Sequence, residues 1–182
     1  MPLLNTITTP WAEAFLQVTE SRSESEGVID QVRSLLALWQ ESPELRHALS
    51  SPVLEVGSKK AALESLFGES VAPSLLNLLR LLADRQRIGM LDAVLERILD
   101  LYRQQNNIAL ASVTSAVALN ESQLAQISDR ARVVAGTEKV ELQQRVDASL
   151  IGGFVLSVGS KVLDASLAGQ VRRLGLSLAQ VS

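Results

Sequence analysis

Cysteine is absent from the 182 residues. That excludes a disulfide scaffold, a thiolate metal site, a Cys nucleophile and thiol redox chemistry. Histidine is nearly absent too. His47 is the only one, which argues against a multi-His metal site and against a Ser-His-Asp triad. Aromatic residues number only six: Trp11, Phe15, Trp39, Phe67, Tyr102 and Phe154. Basic charge is not in excess either, because 17 Lys/Arg against 20 Asp/Glu leave a net charge of −3. The electrostatic footprint of a nucleic-acid binder is therefore missing, and no nucleic-acid partner is expected. The longest uncharged run, Gln104 to Asn120, carries Asn, Ser and Thr throughout and is too polar to span a bilayer. The first residues, Met1 to Thr6, have neither a basic nor an apolar signal region, and no Arg precedes Arg22. The expectation is no secretory signal and no typical transit peptide.

What is abundant is leucine, 32 residues of it, within a chain that is 47% hydrophobic and has a mean hydropathy of +0.19. Leucine favours helices, and so much apolar mass must be buried internally, against partners, or both. The character of the chain changes near Asn106-Asn107. Residues 1–106 carry 10 Lys/Arg and 14 Asp/Glu, a net of −4, and residues 107–182 carry 7 and 6, a net of +1. The first part reads as helix after helix, the second as strands alternating with helices, so the boundary is placed at 106/107.

The spacing predicts six helices in the first part. Thr9 serves as N-cap and Pro10 as first helical residue of helix one, with Ala14, Phe15 and Val18 as its stripe. Helix two carries Val28, Val32, Leu35 and Trp39. Ser42-Pro43 opens a short third helix that Ser51-Pro52 stops. Ser58 caps a fourth, which ends at Phe67 with Gly68 as C-terminal cap. Helix five is apolar nearly all round (Leu75, Leu76, Leu78, Leu79, Leu81, Leu82), so it is either central to the bundle or touches a partner on its outer face. Helix six presents Ile88, Leu91, Leu95, Ile98 and Tyr102 as one bundle-facing stripe.

In the second part, Ile108 to Leu119 reads as a strand buried on both faces. Asn120 caps a helix with Leu124, Ile127, Ala131 and Val134 on one face, ended by Gly136. Val140 to Val146 and Phe154 to Val158 are further strands, and Gly159-Ser160 is a hairpin turn leading to Val162-Leu163. Asp164 or Ser166 caps a last helix. The fold class expected is an all-α six-helix N-terminal bundle followed by a small α/β C-terminal domain with a mixed sheet.

Chemistry is hard to find. Gly152-Gly153 and Gly159-Ser160-Lys161 lack the spacing of a phosphate loop, and glycines that permit tight turns explain them better. Glu20, Glu24, Glu26 and Asp30 lack the Gly-turned loop of a cation site and read as a solvated face. His47 reads as a surface or helix-end histidine. Arg80, Arg85 and Arg87 could meet phosphate, but charge pairing with Asp84 at the end of helix five outweighs that. Trp39 belongs to the core. No catalytic, cofactor or metal residue is assigned, and an interaction module outweighs an enzyme.

Several segments together resemble the delta subunit family of F-type ATP synthases, which includes the mitochondrial oligomycin-sensitivity-conferring proteins. They are Pro10-Trp11-Ala12-Glu13-Ala14-Phe15, Asn77 to Ile88, Val113-Thr114-Ser115-Ala116, and Asp147-Ala148-Ser149-Leu150-Ile151-Gly152-Gly153-Phe154 followed by Gly159, Asp164-Ala165-Ser166 and Leu174. Trp11 replaces the family's usual Tyr, and Arg85-Gln86 replaces the more usual Asn-Gly. The resemblance implies a non-catalytic stator subunit that links the α3β3 catalytic head to the b-type subunits of the peripheral stalk, so that proton-driven rotation yields ATP synthesis. It implies that residues 1–106 bind the head and residues 107–182 dock the stalk; the last helix from Ser166 to Gln180 is the expected contact. It also implies a groove between the first and fifth helices that takes an N-terminal helix of an α subunit. Trp11, Ala14, Phe15, Val18, Leu78, Leu81 and Leu82 are the matching positions. No cofactor and no direct membrane insertion are implied. The expected place is a peripheral one on a thylakoid membrane, stromal or cytoplasmic side, or on the cytoplasmic side of a bacterial plasma membrane. The rivals are an unrelated helical adaptor for amphipathic helices and a small-molecule enzyme built on the α/β part.

Overall fold

The computed structural model describes residues 2–172. The chain divides into two compact units, Met1–Tyr102 and Arg103–Ser182. Before the first strand the described residues form six α-helices and one 3-10 turn: α1 (Pro2–Ser21), α2 (Ser25–Glu41), α3 (Pro43–Ser50), α4 (Val56–Phe67), α5 (Pro73–Asp84), the turn Ile88–Met90, and α6 (Leu91–Gln105). The core of this part is one cluster. Trp39, Leu63, Leu75, Leu79, Leu82, Leu91, Leu95 and Ile98 are each at most 1% exposed within it. The α2 stripe is buried as its spacing requires, at Val28, Val32, Leu35 and Trp39.

Three helix boundaries differ from the sequence expectation. Thr9 does not cap α1, because the helix runs through Pro10. Proline removes only one backbone donor, and here the Thr9 hydroxyl donates to the Asn5 carbonyl at 2.6 Å while accepting from Arg97 Nε at 3.0 Å. Ser58 does not cap α4, which starts two residues earlier at Val56 after Glu55. α4 ends at Phe67 with Gly68 as its C-cap, as expected; Gly68 stays right-handed at φ −54° and its N–H donates to the Glu64 carbonyl at 2.8 Å. Ile88 lies in the 3-10 turn, and α6 begins at Leu91.

Three helix ends use the left-handed C-terminal cap without glycine. After α5, Gln86 has φ +54°, its N–H reaches the Ala83 carbonyl at 2.9 Å, and the Arg87 N–H reaches the Leu82 carbonyl at 2.7 Å. That pair of bonds is the Schellman motif. Ser23 (φ +56°) after α1 and Asn107 (φ +52°) after α6 repeat it, with Glu24 N–H to Thr19 O at 3.0 Å and Ile108 N–H to Arg103 O at 2.9 Å. These polar residues occupy a conformation that glycine adopts at lower cost.

The second unit holds β1 (Ala109–Ser115), α7 (Glu121–Ala135), β2 (Val140–Val146), β3 (Phe154–Val158) and β4 (Lys161–Asp164), with a helical segment at 167–172. The sheet is four-stranded and mixed, in the order β2-β1-β3-β4. β1 and β2 are parallel, joined through α7 as a parallel pair requires, and the other pairings are antiparallel. One face of β1 (Ala111, Val113, Ser115) is buried with Leu156, Val158, Ile127 and Ala131, whereas Leu110, Ser112 and Thr114 on the other face stay partly open among the described residues. The expectation of burial on both faces is corrected accordingly. Asn120 and Gln123 form a reciprocal capping box at the start of α7, and Gly136 ends it at φ +74°. At the β3–β4 turn only Gly159 has positive φ, as a Gly-X turn demands. Lys161 Nζ there donates to the Val134 carbonyl at 2.8 Å, where a cation suits the C-terminal end of α7.

The glycine pair at 152–153 has a packing reason. A Cβ on Gly153 would stand 2.3 Å from the Ala165 carbonyl oxygen, and one on Gly152 would stand 2.7 Å from Leu167 Cδ1. Around them the Leu167 N–H donates to the Gly152 carbonyl at 3.0 Å. Asp164 Oδ1 accepts from both the Ser166 N–H and hydroxyl, and Ser166 Oγ accepts from the Gly169 N–H at 3.0 Å. Ser166 is thus the cap of segment 167–172, held in place by Asp164. Residues 173–180 of the expected last helix lie outside the described residues.

Candidate functional site

Between α1 and α5 runs an open apolar cleft of about 450 Å³. The Ser74 hydroxyl at the start of α5 donates to Glu24 Oε2, just past the end of α1, at 3.3 Å, and both helices line the cleft from there, α1 back to Pro10 and α5 on to Leu81, so they lie side by side in opposite directions. Each helix presents two faces. On α1 the inner face (Ala12, Leu16, Thr19) is buried, and Trp11, Ala14, Phe15 and Val18 line the cleft. On α5 the inner face (Leu75, Leu79, Leu82) is fully enclosed, and Leu78 and Leu81 line it. Spacings of three and four residues put these positions on single stripes.

The floor is Phe15 and Leu78, each 5% exposed, and the walls rise through Val18 at 43% and Leu81 at 50%. Half-exposed aliphatic side chains facing each other across a cleft are groups whose burial is still incomplete. A helix laid between them would remove the remaining surface from water. Ala14 is exposed and small, which leaves the cleft room over its floor.

Six of the seven residues singled out from the sequence therefore line one cleft. Leu82 does not. It is 0% exposed and belongs to the core behind α5, because a step of one residue from Leu81 turns the side chain about 100° around the helix. Four lining residues were missed: Pro10, Arg22, Ser74 and Asn77. Arg22, Ser74 and Asn77 sit four residues from Val18, Leu78 and Leu81, so helical periodicity pointed to them, but a purely apolar criterion passed over them.

The charged residues next to the cleft are mostly engaged. Arg80 pairs with Glu64, and Lys60 Nζ lies 2.8 Å from Asp84. The expected pairing of the arginines with Asp84 is corrected, since a lysine from α4 takes that carboxylate. Glu24 holds Ser74, Asp30 pairs with Arg33, and among the described residues no group of acids or histidine converges as a metal site. His47 is exposed in the last turn of α3. Burial, helped by Asp92 and Asp100, raises the Glu96 carboxyl above its usual range. The Ser149 hydroxyl and backbone N–H hold Asp147 below its usual range. Neither group touches the cleft.

The family description "ATP synthase delta (OSCP) subunit" matches residues 7–178. An ATP synthase subunit delta from Prochlorococcus marinus (strain MIT 9303) is 65% identical over 182 residues, 100% of both chains. The organellar chromatophore ATP synthase subunit delta of Paulinella chromatophora is 60% identical over 181 residues, again 100% of both chains. Among solved structures, a chain of the Toxoplasma gondii mitochondrial ATP synthase hexamer is similar in fold, with a TM-score of 0.71 at 23% identity, covering 94% of this chain and 97% of that one. With a family match over nearly the whole length and full-length relatives well above half identical, the chain belongs to the ATP synthase delta (OSCP) subunit family.

Proposed function

We propose that the chain is the joint that keeps the α3β3 catalytic head of an F-type ATP synthase from turning with the rotor, with the cleft between α1 and α5 as the seat of an α-subunit N-terminal helix. Membership of the delta family makes it a non-catalytic stator subunit of that complex. The observation that carries the rest of the reading is the cleft itself. A groove with an apolar floor and half-exposed aliphatic walls, framed by two antiparallel helices, accepts an amphipathic helix by the same apolar burial that packs a bundle. A stator joint needs affinity rather than turnover, and apolar, well-packed contacts supply it.

The division of labour follows the change in character near residue 106. Residues 1–106, the six-helix bundle, hold the head. Residues 107–182 dock the b-type stalk subunits, with 166–180 as the expected contact. Ile151, Leu167 and Val171 are 83%, 48% and 68% exposed, and the hydrogen bond from Leu167 to Gly152 gathers Ile151 and Leu167 into one neighbourhood. That patch supports this assignment. No helix among the described residues is long and apolar enough to cross a membrane. In this reading the stalk carries the attachment to the stromal or cytoplasmic side of a thylakoid or plasma membrane.

Reconstitution tests the proposal. Purified head and purified b-type stalk subunits are mixed with and without the intact chain, and the mixtures are separated by size. The proposal requires head and stalk to co-elute only when the chain is present. Equal co-elution without it, or a chain that binds neither, refutes the joint.

A further inference from the structure

We propose, building on the groove reading above, that the helix seated between α1 and α5 carries a carboxylate at each end of its apolar stripe, read by Arg22 at one end of the cleft and Arg85 at the other. On α1 the cleft stripe Trp11, Phe15, Val18 continues to Arg22, which itself lines the cleft. On α5 the stripe Ser74, Leu78, Leu81 continues to Arg85. The Arg85 N–H donates to the Leu81 carbonyl at 3.0 Å, so the backbone is still helical there and Arg85 follows one turn beyond Leu81 on the same face. Because the helices are antiparallel, the two arginines mark opposite ends. Each stripe covers eleven residue steps, about 16 Å at 1.5 Å per step, or about three helical turns.

Both side chains are available. The guanidinium groups of Arg22 and Arg85 are exposed and hold no ion pair or hydrogen bond among the described residues, whereas the acids Glu64 and Asp84 are paired with Arg80 and Lys60. The ends are unequal. Glu20, Glu24 and Glu26 lie within four residues of Arg22 along the chain and weaken its field, while Arg87 lies two residues from Arg85 and reinforces it. Arg85 is therefore the stronger anchor. Rim charges of this kind set register and orientation more than total affinity, because they act through solvent and salt.

The test titrates the intact chain with three synthetic helical peptides that share one three-turn apolar stripe and end in Glu/Glu, Gln/Gln or Lys/Lys. The expected order of affinity is Glu, then Gln, then Lys. Steps of about two- to fivefold are expected at low salt, collapsing in about 0.5 M salt. Arg22→Glu with Arg85→Glu should reverse the order, and Arg85→Glu alone should cost more than Arg22→Glu alone. Equal binding of all three peptides to the unaltered chain overturns the carboxylate assignment while leaving the groove standing. Failure of all three to bind, with the chain folded by its melting curve, overturns the groove and this proposal together.

Discussion

Leu81→Asp separates the outer face of α5 from its inner face. Leu81 is 50% exposed, so about half of its side chain remains to be buried by a bound helix. Full burial of a leucine stabilises by about 1.5–3 kcal/mol, so the unburied half is worth about 1 kcal/mol to binding. Placing an ionised carboxylate against an apolar partner adds a desolvation cost of about 1–3 kcal/mol. The sum, about 3 kcal/mol, weakens binding roughly a hundredfold. The fold loses less, about 1–1.5 kcal/mol, from the half of the leucine already packed and from the poorer helix propensity of Asp. Leu82→Ala is the contrast, because Leu82 is 0% exposed and a cavity there costs about 2–5 kcal/mol of stability. Calorimetric titration with an α-subunit N-terminal peptide and urea denaturation of each variant read the two effects apart. Peptide affinity unchanged by Leu81→Asp, or a stability loss as large as that of Leu82→Ala, would show that Leu81 is not a free wall of a binding cleft.

Gln86→Gly should stabilise the helical unit by up to about 1 kcal/mol, because glycine adopts the left-handed φ of +54° without a Cβ penalty; a rise in melting temperature checks it. Gly153→Ala should destabilise the sheet unit by about 2 kcal/mol or more, since its Cβ would fall 2.3 Å from the Ala165 carbonyl oxygen at φ +80°. Hydrogen exchange should then quicken in β3 and β4. Glu96→Gln should stabilise slightly at pH 7. A carboxyl whose folded value is raised by burial and by Asp92 and Asp100 opposes folding once ionised, so the gain should fade as the pH falls towards the ordinary value of 4.5 and be absent below it. Denaturation midpoints at pH 7 and pH 4 measure it.

The sequence made the inner faces plain and the outer details obscure. Trp39 and Leu95 repeat at helical spacing with leucine and valine, and burial follows from that spacing. The same rule could not tell Leu81 from Leu82, because helix five is apolar on both sides, and only the position of α1 decides which leucine is left open. Local capping rules misread Thr9, since the helix runs on through Pro10, which removes a single backbone donor, and the Thr9 hydroxyl bonds Asn5 and Arg97 instead of capping. The ends at Ser23, Gln86 and Asn107 gave no glycine to read, although the chain turns left-handed at each. In the sheet, Asn120 and Gly136 announced α7 correctly because both caps are local chemistry. The strand order, with β1 between β2 and β3, depends on long-range pairing that no short window encodes.

The most direct measurement is amide hydrogen exchange of the intact chain, with and without an α-subunit N-terminal peptide. Protection should rise along residues 11–22 and 74–85, while the strands Ala109–Ser115 and Phe154–Val158 exchange as before. Protection confined to the sheet unit, or no change along α1 and α5 under saturating peptide, would contradict the account.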